Sequence, residues 1–480
     1  MPRTVKSSIK IGNKEFSISF ILSILSAVAG IIFSFLAAKL LKSSLYGEIQ
    51  YFISIVNLLS SIMLFGTDNF IIKNTQFSEN KKQLVSKSLC LLILISTLIL
   101  PIYFRIGVSF LSRLNQNNIL VITIFIIAFL MSLSSIGYSL LQGLNKYQLK
   151  ILLSSFLPHI LFLGLFLIHY LTNTLSIFVD LYLLYYAILY GFFGIYIFMK
   201  YMFPISGFFS YSQLKSIFFF GFTWILYNIT TPLSNIFIGE KYENLGIVGI
   251  FSISNQLLSI SGLATGIISQ ISNTTFAKLT NSNDIEKLYK NYERITRINI
   301  YISVPFFAAF IMEAQNLMSF FGDSYLGHNM ILIILTVASM IECVTGPCGT
   351  ILLMGNKEKE NLIASIVKFV VFMSILILMI KYTELAAPIG LAISSLISNA
   401  IKLIILKKSF NKNFFSPKIW VAFLIVFAIS ASVFFGLSFI QNTIIWVLAN
   451  CVCGLGLIIG FITLTPFKED KQYFSKGKEI

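Results

Sequence analysis

Apolar positions in this chain come in unbroken stretches and do not alternate with polar ones. "LCLLILISTLIL" (89–100) is representative, with two hydroxyls and no charge in twelve residues. Strands of a membrane barrel would alternate apolar and polar residues. Apolar runs of about twenty residues recur along the whole length, and each is long enough to cross a ~30 Å hydrocarbon core as a helix. The pattern predicts fourteen spanning helices, at 17–38, 46–72, 84–106, 118–143, 148–171, 176–200, 214–238, 246–276, 297–320, 329–354, 360–381, 384–406, 417–440 and 443–465. The turns between them are short, so no soluble domain and no long outer loop is expected.

The pattern also repeats. "YGEIQYFISIVNLLS" (46–60) resembles "LGIVGIFSISNQLLS" (245–259), with a register that could slip by three. "LILP" ending at Pro101 matches "ISVP" ending at Pro305, and "LLQGLNK" (140–146) matches "LLMGNK" (352–357). The offsets are 199, 204 and 212, in chain order and six spans apart. This predicts a six-helix unit used twice in the same orientation, the parallel-repeat plan of transporters. The expected organisation is a bundle at 1–205, a second at 206–410, and two extra helices with a tail at 411–480.

Composition strengthens the membrane reading. Of 480 residues, 56% are hydrophobic and 11% charged, against roughly 25% charged in soluble domains. The net charge of +16 does not imply nucleic acid once its placement is considered. With the N-terminus inside, 28 of the 35 Lys and Arg fall on inside segments and 6 on outside ones, Lys368 being the remaining one. Positive charge marks cytoplasmic loops, so both termini are expected in the cytoplasm. The first run has full spanning length and no small-residue cleavage site, which predicts a retained helix rather than a signal peptide. Cys90, Cys343, Cys348, Cys451 and Cys453 all lie in apolar runs and read as small buried hydrophobes, without metal-ligand spacing. No phosphate-binding loop is present, so direct ATP hydrolysis is not expected.

The polar residues within spans carry the candidate chemistry. Ser19, Ser23, Ser26, Gly30 and Ser34 share one face of span 1, either a cavity wall or a small-residue packing seam. Span 7 crowds Asn228, Thr230, Thr231, Pro232, Ser234 and Asn235, and Pro232 frees a backbone carbonyl. Span 8 carries Asn255, Gln256 and several hydroxyls. A water-filled cavity lined by spans 1, 2, 7 and 8 is expected, with Trp224 and Lys39 also candidates for its walls.

Two charges lie deeper. Lys368 is about ten residues past the turn at 356–359, about 15 Å into the membrane at 1.5 Å per residue. Glu342, on the other arm of the hairpin, reaches a similar depth, just before Gly346, Pro347 and Gly349 interrupt its span. An unpaired charge there costs about 3 kcal/mol on insertion scales. Either the two pair or Lys368 snorkels to the interface. Glu342 is the leading site for a coupling proton or sodium ion, with Asp68 behind it. No other cofactor is expected. His159, following Pro158, is either structural or part of the path.

"LLKSSLYGEIQYFISIVNLLSSIMLFGTDNFIIKN" (40–74), "IGEKYENLGIVGIFSISNQL" (238–257) and "NLMSFFGDSYLG" (316–327) resemble segments of bacterial polysaccharide flippases of the Wzx type, in the MATE-like exporter superfamily. One departure is Asn235, near which members often carry an acid. The resemblance implies an all-α integral membrane protein with a V-shaped pair of bundles. It implies a flippase, not an enzyme, that moves an undecaprenyl-diphosphate-linked O-antigen, lipopolysaccharide, capsule or exopolysaccharide unit from the cytoplasmic to the outer leaflet, as an ion-coupled antiporter. Polysaccharide polymerase and chain-length proteins are the further partners it implies. Alternatives are a multidrug or cation exporter of the MATE type and a lipid II flippase. A multidrug exporter would favour acids in its cavity, whereas here Lys368 competes with Glu342.

Overall fold

The computed structural model describes residues 13–465 apart from 76–79, 112–117, 145, 202–208, 243–244, 283, 356 and 441–442. In chain order the helices are α1 (Asn13–Leu40), α2 (Lys42–Leu64), α3 (Thr67–Asn74), α4 (Lys81–Leu111), α5 (Asn118–Gly143), α6 (Tyr147–Ile151), α7 (Leu157–Leu171), α8 (Leu175–Tyr201), α9 (Tyr211–Asn228), α10 (Thr230–Lys241), α11 (Gly246–Asn281), α12 (Ile285–Met312), α13 (Ala314–Phe321), α14 (Asn329–Thr345), α15 (Cys348–Met354), α16 (Glu358–Met379), α17 (Ala386–Phe410), α18 (Pro417–Leu437) and α19 (Thr443–Leu464). No strand occurs among the described residues. Only helices and closed barrels satisfy every backbone group in lipid, and this chain takes the first route.

Among the described residues, nine helices are long and apolar enough to cross a membrane, and the bent pairs α9–α10 and α14–α15 raise the number to eleven. The apolar stretches Leu25–Leu40, Gly246–Gly262 and Leu448–Leu464 lie on α1, α11 and α19. Each of the fourteen sequence-predicted spans therefore falls on a helix or a helix pair.

Two boundaries differ from expectation. The span read as 46–72 stops at Leu64, where Phe65 (φ 41°) and Gly66 (φ 75°) turn the chain into the separate helix α3. A Cβ on Gly66 would lie 2.2 Å from the Cα of Gly221, so glycine is required on grounds of both φ and space. The ninth span begins at Ile285 rather than 297, capped by the Asp284 carboxylate, which accepts from the Lys287 N–H at 3.2 Å.

Contacts group the chain into two compact units, Met1–Ser34 with Thr67–Tyr211, and Phe35–Gly66 with Ser212–Ile480. Helix α2 therefore groups with the C-terminal helices, as do α18 and α19.

In the first unit, α5 and α8 approach closely at Gly194, where a Cβ would sit 2.8 Å from the Leu130 carbonyl, and the Ser134 hydroxyl donates to the Tyr190 carbonyl. Small residues let membrane helices pack this closely. Pro158 lacks an N–H for the preceding turn, and a π-turn over Leu152–Phe156 joins α6 to α7. His159 then packs on α1. Its Nδ1 lies 2.9 Å from the Ser26 carbonyl, and its ring fills the space beside Gly30. At Ser26 and Gly30 the span 1 small-residue face is thus a packing seam, while Ser34 on the same face is half-buried. Ser19 and Ser23 lie outside the described side chains.

In the second unit, the two repeated sequence stretches pack on each other. A Cβ on Gly47 of α2 would fall 1.9 Å from the Leu245 carbonyl, and one on Gly249 of α11 would fall 3.1 Å from the Gly47 nitrogen. The pairing of Gly47 with Gly249 is the register obtained by slipping the alignment three residues. The final helices hold to α12 and its end. Tyr301 and Thr465 share a hydroxyl–hydroxyl hydrogen bond of 3.0 Å, and the Trp446 indole donates to Glu313 at 3.0 Å.

Candidate functional site

The site begins at the break between α14 and α15. Gly346 has φ +64°, and a Cβ there would fall 2.2 Å from Thr296 Oγ1, so only glycine fits. Pro347 follows, and the two segments are bent by 46°. The interrupted ladder leaves the Thr345 carbonyl to accept from the Tyr292 hydroxyl at 2.8 Å and from the Cys348 thiol at 2.8 Å. Breaks of this kind are stable in a membrane only where neighbouring groups re-satisfy the freed carbonyls.

Glu342 lies one turn before the break, on α14. Lys368 on α16 donates to Glu342 Oε1 at 2.6 Å, and the Ser395 hydroxyl of α17 donates to the same oxygen at 2.9 Å. The Lys368 side chain is 14% exposed and that of Glu342 is 42% exposed. The ammonium is thus enclosed, while the carboxylate fronts open space. Glu342 Oε2 accepts no hydrogen bond among the described residues. This geometry resolves the two readings of Lys368 in favour of pairing, with no snorkelling in this state.

The open space is a cavity of about 210 Å³ lined by both charged residues, Asn228, Thr230, Thr231, Asn255, Ser339 and Ser395, with apolar Leu258 and Leu391 among the rest. Asn228 and Thr230 come from the α9–α10 break, where Pro232 leaves the Asn228 carbonyl without its helical donor. The sequence treated the amide-rich spans 7 and 8 and the deep charges of spans 10 and 11 as separate clues, and the fold brings them to one site.

The other candidates lie elsewhere. Asn235 is buried, donating to Ser54 Oγ at 2.8 Å and accepting from Ser252 at 3.3 Å, so it clamps α2, α10 and α11 together. Gln256 is half-buried and Trp224 is 45% exposed, and neither lines this cavity. Lys39 is exposed, with its ammonium 4.0 Å from the centre of the Phe320 ring. Asp68 belongs to the first unit, where Oδ1 accepts from the Asn69 N–H at 2.8 Å. Sequence reasoning missed Ser339 and Ser395. The cluster "ISSLISN" (393–399) was the available signal for the second, since it carries polar residues mid-span.

A family described as "Polysaccharide biosynthesis protein" matches residues 35–329. The Glu342–Lys368–Ser395 cluster lies beyond that stretch. A search of curated proteins gave no match. Among solved structures, "Lipid II flippase MurJ, inward closed conformation" superposes with a TM-score of 0.68 at 16% identity, covering 93% of this chain and 98% of that one. An inward-facing multidrug resistance MATE family transporter of the MOP superfamily gives 0.56 at 18% identity over 82% of this chain and 97% of that one. An outward-facing one gives 0.56 at 15% over 82% and 96%. At these identities the likeness establishes a shared fold. The match over most of the chain establishes the family: this is a member of the polysaccharide biosynthesis protein family, built on the fold of lipid II flippases and MATE transporters.

Proposed function

We propose that the protein flips an undecaprenyl-diphosphate-linked oligosaccharide from the cytoplasmic to the outer leaflet of the bacterial inner membrane by ion-coupled alternating access, with both termini cytoplasmic. The observation that carries this reading is the Lys368–Glu342 pair, 2.6 Å apart within the membrane and fronting a cavity walled by amides and hydroxyls. Asn228, Asn255, Thr230 and Ser339 suit sugar hydroxyls, and an ammonium suits a diphosphate. An arriving diphosphate draws Lys368 off the carboxylate. Glu342, which lines the cavity, is then free to take a proton or sodium ion. The exchange keeps the count of unpaired buried charge unchanged, which avoids the cost of an isolated ion. The antiporter role, the O-antigen or capsule destination, and polymerase and chain-length partners belong to the same proposal.

The test is transport by the purified protein in vesicles, offering a polyprenyl-diphosphate-linked oligosaccharide and, separately, a lipophilic cationic dye. The flippase reading expects movement of the first and none of the second. Dye movement alone would support a multidrug exporter, and movement restricted to lipid II would reassign the cargo within the superfamily.

A further inference from the structure

The polar cluster has a second layer. Gly349 lies seven residues after Glu342, Lys402 seven after Ser395, and Asn361 seven before Lys368. Seven residues are nearly two helical turns, so Asn361 on α16 and Lys402 on α17 lie on the same faces as Lys368 and Ser395 and about 10 Å further along, while Gly349 lies on α15, past the α14–α15 break. All three are displaced toward the basic end of the hairpin, where Lys357 and Lys407 sit. A Cβ on Gly349 would be 3.3 Å from Asn361 Oδ1 and 3.8 Å from Lys402 Nζ, so both polar groups converge on the one position that lacks a side chain. Lys402 is half-buried.

The charges in the two layers do not balance. Glu342 is in direct contact with Lys368, and Lys402 makes no ion pair within 4.0 Å among the described residues. Asn361 is 4% exposed, and its Oδ1 has no hydrogen-bond partner among the described residues. A buried amide oxygen without a partner and a half-buried lysine with no counter-ion in contact both carry a free-energy penalty. A ligand with anionic and hydroxyl groups removes both penalties together. Asn361 is in the first turn of α16.

We propose that Lys402 and Asn361, around Gly349, form a second anion site that engages the diphosphate of the lipid-linked cargo before it reaches Lys368. This rests on the flippase reading. The two lysines act as successive stations along one face, the outer one unpaired and ready, the inner one released from Glu342 only when the anion arrives.

The test is binding of inorganic pyrophosphate to the full-length protein in a phosphate-free detergent, by calorimetry. K402M is expected to weaken binding at least tenfold and K402R less than threefold. N361D, which supplies an internal carboxylate beside Lys402, is expected to weaken it comparably and serves if K402M fails to fold. Binding by K402M and N361D within twofold of wild type would overturn the proposal. Phosphatidylglycerol in tenfold excess is expected to leave pyrophosphate binding within twofold; displacement would reassign the site to bilayer headgroups and also overturn it. If vesicles fail to flip the glycan while K402M still weakens pyrophosphate binding, the cargo reading falls and the anion site stands. If flipping holds and K402M binds pyrophosphate normally, the second site alone falls.

Discussion

At the residue scale, the decisive feature is two opposite charges placed where neither tolerates isolation. K368M leaves the Glu342 carboxylate with only Ser395 as donor. Because the Glu342 side chain is 42% exposed, the penalty is reduced from the buried-pair range to about 1–2 kcal/mol. The double variant E342Q/K368M removes both charges and is expected to recover most of this. Thermal unfolding in detergent checks the order: K368M lowest, the double variant near wild type. Equal losses in both would mean that the contact seen here does not contribute. The pair was legible in the sequence because charges within apolar runs are rare and the hairpin fixes their relative depth. Ser395 was not, since a hydroxyl in a membrane helix can equally bond its own i−4 carbonyl, as Ser365 and Ser374 do here. Asn235 was misplaced for a related reason: an amide serves helix packing as readily as a cavity wall, and only Ser54, 181 residues away, shows which.

At the element scale, glycines set where helices touch and where they break. G47A forces a Cβ to within 1.9 Å of the Leu245 backbone and separates α2 from α11. We expect a loss above about 3 kcal/mol, in the range of severe overpacking. G346A combines positive φ with the clash against Thr296, so about 2 kcal/mol is expected, partly rescued by T296A. G436A in α18 meets nothing within 4 Å, so neutrality or a gain of about 0.5 kcal/mol is expected there. Unfolding of the purified variants in detergent ranks the four; similar stability for G47A and G436A would contradict the close α2–α11 approach. The α14–α15 break was visible as Gly-Pro-x-Gly within an apolar run. The break after Leu64 was not, because hydropathy is indifferent to a left-handed turn at Phe65 and Gly66, and the partner that demands it, Gly221, is distant in sequence.

At the scale of the whole molecule, the split of 28 to 6 basic residues between alternate segments predicts cytoplasmic termini. A reporter fused after Lys412 is expected to read cytoplasmic, and one near Asn173 external; reversed readings would invert the direction of transport proposed here. The many apolar helices were legible because hydrocarbon thickness dictates helix length, and nine to eleven of the fourteen expected spans meet that length and apolarity among the described residues. The grouping of α2 with the C-terminal helices was not, because Gly47 and Gly249 announce a close contact without saying with whom.

The most direct measurement is the initial rate at which reconstituted vesicles flip a polyprenyl-diphosphate-linked oligosaccharide, compared for wild type, K368R and K368M at equal protein incorporation. The account predicts movement by wild type, a partial rate for K368R, whose charge survives with altered geometry, and at least a tenfold loss for K368M. Flipping by K368M at the wild-type rate would contradict it and leave the Lys368–Glu342 pair a purely structural tie between α14 and α16.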